Sequence, residues 1–419
     1  MKYGKFAYTL AGAMALPFLA FGQASSVQIY GTFNPMVDSI KTSGATAVGL
    51  SPATGGATMV AAGAYTGDPG NLPNRNRMTS GTSNLGFKGN YKISDDLKVI
   101  WQIESAVSPD GDPPNALTSR NSCLGLEGTW GTVFFGNWDT PYKYPILFVG
   151  AMRGLNPFDN ALTANPGFNT PGTTTQNGRV NTAADAAFNR RQGNSIQYWS
   201  PNVNGFSGRV AYSVNEGKTT ATATVPSVSP TLWSVLVNYK TGGLNICFAC
   251  EQHNDYFGLA QMGGSAGATA TNASSKDLAN EIVASYTFST GTKLSAIVEK
   301  LSYDTDDTAV GKVNHYERTA FYFLLQQRWG AHQLFGSYGK ANEGSATVVG
   351  GGPATANGLG GTQWSAGYSY ALSKTADLFA AAYGMSNERS ATYALFPPVG
   401  RVAPGASTAG FGLGILYTF

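Results

Sequence analysis

The sequence predicts an all-β chain, a 16-stranded antiparallel transmembrane β-barrel with short periplasmic turns and long outer loops. Three observations predict it. First, the last nine residues put Phe411, Leu413, Ile415, Tyr417 and Phe419 on one face of a strand, and Gly412, Gly414 and Thr418 on the other, with Leu416 the exception. A period of two is an extended strand, and lipid covers such an oily face when neighbouring strands satisfy the backbone. Second, period-two segments recur along the whole chain. Third, the connections between them alternate between short and long.

Taken in order, residues 1–24 read as a cleaved secretory signal. Lys2 and Lys5 form a basic start, Phe6 to Phe21 is mostly apolar, and Gly22-Gln23-Ala24 is a small-x-small pattern with cleavage after Ala24. The run is broken by Pro17 and is shorter than the ~20 apolar residues of a spanning helix. Residues 25–419 then form the barrel domain.

The strand segments are 25–38, 84–93, 97–107, 121–130, 131–139, 194–201, 206–216 and 232–241. They continue with 244–255, 280–289, 292–304, 318–329, 331–343, 363–373, 375–389 and 407–419. Short connections carry turn chemistry, as in Ser94-Asp-Asp96, Thr241-Gly-Gly243 and Ser289-Thr-Gly291. Long ones are 39–83, 108–120, 140–193, 217–231, 256–279, 305–317, 344–362 and 390–406. A sandwich does not sort its connections by parity, whereas an outer-membrane barrel does.

In 280–288, Ile282, Ala284, Tyr286 and Phe288 share the outward parity, and Glu281, Val283, Ser285 and Thr287 the inward one. The inner face therefore reads as hydrated, and most aromatics read as outward. Lys88, Arg209, Glu104, Glu127, Glu251, Glu281 and Glu299 have inward parity and read as lining the bore, with the acids spread over its height. Gly412, inward, reads as a position where serine is tolerated.

Composition narrows function. Removing the two signal lysines from the formal charge of +3 leaves a nearly neutral chain, which is no footprint for nucleic acid. Cys247-x-x-Cys250 lies in a strand, where positions three apart face opposite ways, so no metal or cofactor is expected there. Asp304, Asp306 and Asp307 lack EF-hand spacing and read as a solvated loop. A barrel enzyme (lipase or protease) needs an activated nucleophile. Of His253, His315 and His332 only His253 could meet a serine, at the membrane edge, and no nucleophile motif surrounds it. An adhesin or receptor barrel fits poorly, because loops 39–83 and 256–279 are poor in charge and aromatics. A dedicated sugar channel would want an inward aromatic slide.

Seven stretches together resemble the general diffusion porins of Gram-negative outer membranes, particularly the β-proteobacterial branch. They are Val27-Gln-Ile-Tyr-Gly31, Asn84-Leu-Gly-Phe-Lys-Gly89, Arg120-Asn-Ser-Cys-Leu-Gly-Leu126 and Trp130-Gly-Thr-Val-Phe-Phe-Gly136. The others are Asn194-Ser-Ile-Gln-Tyr-Trp-Ser-Pro201, Gly205-Phe-Ser-Gly208 and Tyr417-Thr-Phe419. The resemblance implies an outer-membrane homotrimer in contact with lipid and lipopolysaccharide. It also implies an inward-folded third loop, 140–193, that constricts the pore, and a terminal Phe419 read by the barrel-insertion machinery. It further implies wall arginines at Arg120 and at Arg190 or Arg191, facing loop acids of which Asp159 is the candidate, with Arg153 on the same loop. Two departures stand out: Asn84 occupies a position usually held by arginine, and the Pro-Glu-Phe-Gly-Gly turn survives only as Pro157-Phe-Asp159. The loop's cations (Lys143, Arg153, Arg179, Arg190, Arg191) against Asp159 and Asp185, together with Arg120, lead to an expected mild anion preference.

Overall fold

The computed structural model describes residues 26–45, 73–111, 117–150, 162–168, 170, 186–213, 218, 220–222, 227–262, 274–306, 308–351, 356, 358–395 and 402–419. The signal, with Ala24, and the loop residues Arg153, Asp159, Arg179 and Asp185 lie outside them. Strands are β1 (Ser26–Phe33), β2 (Met36–Ser43), β3 (Arg75–Thr79), β4 (Asn84–Ser94), β5 (Leu97–Ala106), β6 (Ser122–Gly128) and β7 (Gly131–Asp139). Next come β8 (Arg191–Trp199), β9 (Phe206–Ser213), β10 (Thr231–Thr241), β11 (Leu244–Asn254), β12 (Ser275–Thr287) and β13 (Thr292–Thr305). The last are β14 (Val313–Trp329), β15 (His332–Ala341), β16 (Ser345–Val348), β17 (Gly361–Ala371), β18 (Ala376–Asn387) and β19 (Ser407–Thr418). Two 3₁₀ turns, Tyr144–Phe148 and Gly258–Met262, are the only helical elements among the described residues.

These 19 segments make 16 barrel staves, because three staves are interrupted. β1 and β2 form one: β1 pairs with β4 while β2 pairs with β3 and β19. The break is at Asn34-Pro35, where Pro35 has no N–H to give the ladder. Across the gap the Asn34 N–H donates to Ser83 Oγ at 2.8 Å. β3 with β4 and β15 with β16 are interrupted likewise, β14 pairing with both β15 and β16. The barrel closes where Thr32 meets Thr418 and where Gly31 and Phe419 exchange backbone hydrogen bonds at 3.1 Å. The Phe419 ring packs on Phe33 at 5.7 Å.

Several boundaries differ from the sequence reading. The first stave runs on to Ser43, the second already starts at Arg75, β8 starts at Arg191, β12 at Ser275 and β14 at Val313. At these ends the strands project beyond the apolar belt, so the ladder continues after the oily alternation has faded.

Alternation holds through the belt. Ile282, Tyr286, Leu294, Val298, Phe323, Leu325, Trp364, Phe411, Leu413 and Ile415 are exposed on the outer face. Val283, Ile297, Tyr322, Leu324 and Leu416 are buried on the inner one. This restricts the expectation of a hydrated inner face to part of the wall. Along β10–β18 the interior is packed, and Tyr303, Tyr316, Phe335, Phe379 and Tyr383 are inward and buried. Cys247 faces inward and is buried, and Cys250 lies on the opposite face.

Candidate functional site

What fills that half of the bore is the connection after β7. Tyr142 donates its backbone N–H to Ser234 Oγ at 2.9 Å and its hydroxyl to Glu299 Oε1 at 2.6 Å. The Ala164 N–H converges on the same oxygen at 2.5 Å. Arg318 donates to Glu299 Oε2 at 3.0 Å, to the Leu162 carbonyl at 2.9 Å and to the Asn165 carbonyl. Farther along, the Tyr303 hydroxyl donates to the Ala186 carbonyl at 3.1 Å, and Phe188 stacks on His253 at 4.4 Å. The Thr392 N–H donates to the Gly167 carbonyl at 3.0 Å, so an outer loop joins the packing.

The anchor is electrostatic. Glu299 and Arg318 are fully buried, and either alone would be a costly uncompensated charge. Together they are charge-balanced, and the remaining carboxylate capacity is taken by donors from two limbs of the loop. Burial and the neighbouring Glu299 hold the Tyr142 phenol well above the usual tyrosine range, so it serves as a donor. Glu281 lies directly across from Glu299 in the β12–β13 ladder, and Glu251 is on the adjoining β11. All three glutamates are buried, which corrects the reading of dispersed, bore-lining acids: they share one patch, and the loop covers it. His253 belongs to the same patch, bonded to Glu251 at 2.9 Å and held between Phe188 and Tyr256 rather than at the membrane edge.

The opposite wall, from β1 to β9, is different. Lys88 is exposed on the inner face with its ammonium 4.9 Å from the Tyr30 ring centre. Tyr30 donates to Glu104 at 2.9 Å, and Arg120 forms an ion pair with the same carboxylate. Asp38 accepts from Arg77 at 2.8 Å and from the Tyr383 hydroxyl at 2.9 Å. At the root of the loop, Asp139 pairs with Lys143 at 3.2 Å and Arg191 at 3.1 Å. Asn121 ties them together, accepting from Arg191 Nε at 2.6 Å and donating to Asp139 at 2.9 Å. Burial draws the Lys143 ammonium below the usual lysine range, while Asp139 opposes that pull. Toward the turn end Lys98 and Glu127 pair at 2.7 Å. The Arg209 guanidinium lies between the ring centres of Tyr144 of the loop, 3.3 Å away, and Trp199 of the wall, 3.8 Å away. That double cation–π contact clips the start of the loop to the wall.

The sequence-derived candidates thus separate. Lys88, Glu104, Glu127 and Arg209 lie on the inner face, and Arg120 and Arg191 stand near the loop root. Two differ from expectation. Arg120 is matched by Glu104 and brings no uncompensated charge. Arg190 is buried with its guanidinium over the Tyr256 ring at 5.1 Å, so its charge is covered. It precedes β8 at the point where Thr140 and Arg190 join the two ends of the loop, and the chain turns its side chain inward against the outer connections.

Sequence reasoning missed Arg318 and Tyr142, and it missed the inward aromatic cluster of Phe134, Trp138 and Trp199. The Arg318 parity was readable, since it shares the inward face with Ala320 and Tyr322. Tyr142 carries no local signal.

A family described as Gram-negative porin matches residues 7–392 of the chain. The chain is 26% identical over 218 residues to the major outer membrane protein P.IA of Neisseria meningitidis, covering 45% of this chain and 49% of that one. It is 28% identical over 213 residues to the major outer membrane protein P.IB of Neisseria lactamica, covering 51% and 50%. The chain spans about half the length of the curated relatives it matches. Among solved structures it is similar to an anion-selective porin from Comamonas acidovorans, with TM-score 0.66, 19% identity and coverage of 94% of this chain and 100% of that one. It is also similar to the trimer form of OmpT from Vibrio cholerae, with TM-score 0.59, 16% identity and coverage of 94% and 100%. At these identities the structural likeness speaks for the fold.

Proposed function

This outer-membrane chain belongs to the Gram-negative porin family, and we propose that its barrel is a water-filled channel for passive diffusion of ions and small hydrophilic solutes, with a mild preference for anions. The observation that carries the reading is the asymmetry of the bore. The described part of the loop lies over the wall that bears Glu251, Glu281 and Glu299 and, among the described residues, leaves Lys88 exposed on the opposite wall. On the open side the carboxylates Asp38, Glu104, Glu127 and Asp139 each have a cation, while Lys88 and Arg209 meet aromatic faces instead. Screening limits distant charges to a reach of ~8 Å, so in this reading the exposed Lys88 weighs most in the field that a permeating ion meets. In this reading 140–193 is the constriction loop, and Arg153 and Asp159 are its candidate charged residues. The barrel works as a homotrimer among lipid and lipopolysaccharide, follows signal removal after Ala24, and is inserted by machinery that reads Phe419.

A catalytic role has no support from the histidines. His253 is walled in by rings, His315 is paired with Asp304 at 2.6 Å, and His332 is bonded to the Tyr368 hydroxyl at 2.7 Å.

Single-channel recording tests the reading. We expect a stable conductance in KCl and a reversal potential across a KCl gradient of the sign that favours Cl⁻. A barrel that carries no current sinks the channel, and a K⁺-favouring sign sinks the preference alone.

A further inference from the structure

The open wall contains a recess of about 250 Å³ that includes Gln28, Lys88, Lys98, Gln102, Glu127 and Trp138 in its lining. The register builds it: Gln28 opposes Lys88, Lys88 opposes Gln102, and Gln102 opposes Cys123 on successive staves. Its size falls below the ~300–1,000 Å³ of sites for drug-sized ligands, so it suits a solute with a single ring.

Three features specify the solute. Trp138 is a held surface rather than a mobile side chain, braced by Phe134 at 5.1 Å and edge-on by Trp199 at 5.6 Å. A rigid indole in water favours offset stacking with a flat ring. Lys88 supplies the charge: it meets Tyr30 rather than a carboxylate, whereas the recess's other cation, Lys98, is neutralised by Glu127. Gln102 has its amide nitrogen committed to the Asn121 carbonyl at 2.8 Å, which fixes its side chain beside Lys88. Chloride would use the cation and leave the indole idle. A neutral sugar would use the indole and leave the ammonium uncompensated. A small planar carboxylate uses both.

We propose, resting on the channel reading above, that this recess is a subsite for small planar aromatic carboxylates, with the ring on Trp138 and the carboxylate at Lys88. Occupancy is weak by design of the bore, since a permeating solute must leave as readily as it enters.

The test uses the chain purified from membranes in detergent, with sodium benzoate as the probe and cyclohexanecarboxylate and acetate as controls of equal charge. In planar bilayers benzoate reduces the KCl current at concentrations where the controls do not. Trp138→Ala raises the half-blocking concentration of benzoate about threefold to tenfold, the range that loss of one aromatic contact predicts. Trp138→Phe keeps part of the block, which separates lost stacking from a misfolded wall. Lys88→Gln abolishes the advantage of benzoate over neutral benzamide. Calorimetric titration of benzoate gives the same ranking without any current. Block or binding that is equal for benzoate and cyclohexanecarboxylate, or unchanged by Trp138→Ala, overturns the subsite and leaves the channel standing. A barrel that binds benzoate selectively yet passes no KCl overturns the channel and leaves the subsite standing.

Discussion

The two halves of the bore use the same strand chemistry to opposite ends. Along β10–β18 the inward residues are buried and mostly satisfied by the loop: Ser234, Glu299, Tyr303 and Arg318 each hold a backbone or hydroxyl group of it. Along β1–β7 the inward residues satisfy one another across neighbouring staves, as Glu104 does with Tyr30 and Arg120, and water can reach them. The lesson is that inward parity tells which side chains enter the barrel, while the loop determines which of them a solute can meet. In the proposed channel, acids such as Glu251, Glu281 and Glu299 that lie behind the loop therefore count for little.

The largest expected effect comes from removing the covering. Deleting residues 150–185 should raise single-channel conductance while the barrel still shifts on boiling in SDS gels. Unchanged conductance would mean that the covered wall is not what narrows the bore.

Next is a pairwise contrast between the walls. Glu299→Ala strands the buried Arg318 and should cost on the order of 3–5 kcal/mol in reversible urea unfolding. Lys88→Ala, exposed on the open wall, should stay within about 0.5 kcal/mol. Equal losses would erase the distinction between the walls.

A smaller contrast concerns glycines. Added bulk at Gly412 would sit 2.7 Å from Met36 Sδ and 3.2 Å from Asp38 Cβ, so Gly412→Ser should cost roughly 1–3 kcal/mol by overpacking, against the sequence expectation of tolerance. Gly336 has open space where its side chain would be, and Gly336→Ala should be nearly silent by the same measurement.

The smallest effect is a pH dependence at the outer mouth. Burial, with the hydrogen-bonded and like-charged Glu343 beside it, raises the Glu388 carboxyl above its ordinary value. A raised folded-state value means more protons bound when folded, so this contact is at full strength below the ordinary carboxylate range and weakens as pH climbs through the raised value. Hydrogen exchange at Ser390, whose N–H donates to the Gly358 carbonyl at 2.9 Å, should lose protection over that window once corrected for intrinsic rate. Glu388→Gln should flatten the dependence, and an unaltered slope would remove Glu388 as its source.

The barrel was determined by the sequence alone, because lipid imposes one rule on every stave. Phe411 to Phe419, Ile282 to Phe288 and the turns at Thr241-Gly-Gly243 and Ser289-Thr-Gly291 each repeat that rule locally, so none depends on another part of the chain. Its edges were less legible: the Asn34-Pro35 break is written in a proline, but the continuation to Ser43 depends on β19 and β3 lying alongside. The inner wall was decided only in three dimensions. Tyr142 meets Glu299 across 157 residues of sequence, and Arg318 meets Leu162 across 156, so no window of neighbours encodes either contact. Arg120 and Arg190 show the same limit. Residue type announced two cations, but pairing with Glu104 balanced one and burial against Tyr256 withdrew the other, since charge is set by what folding brings near it.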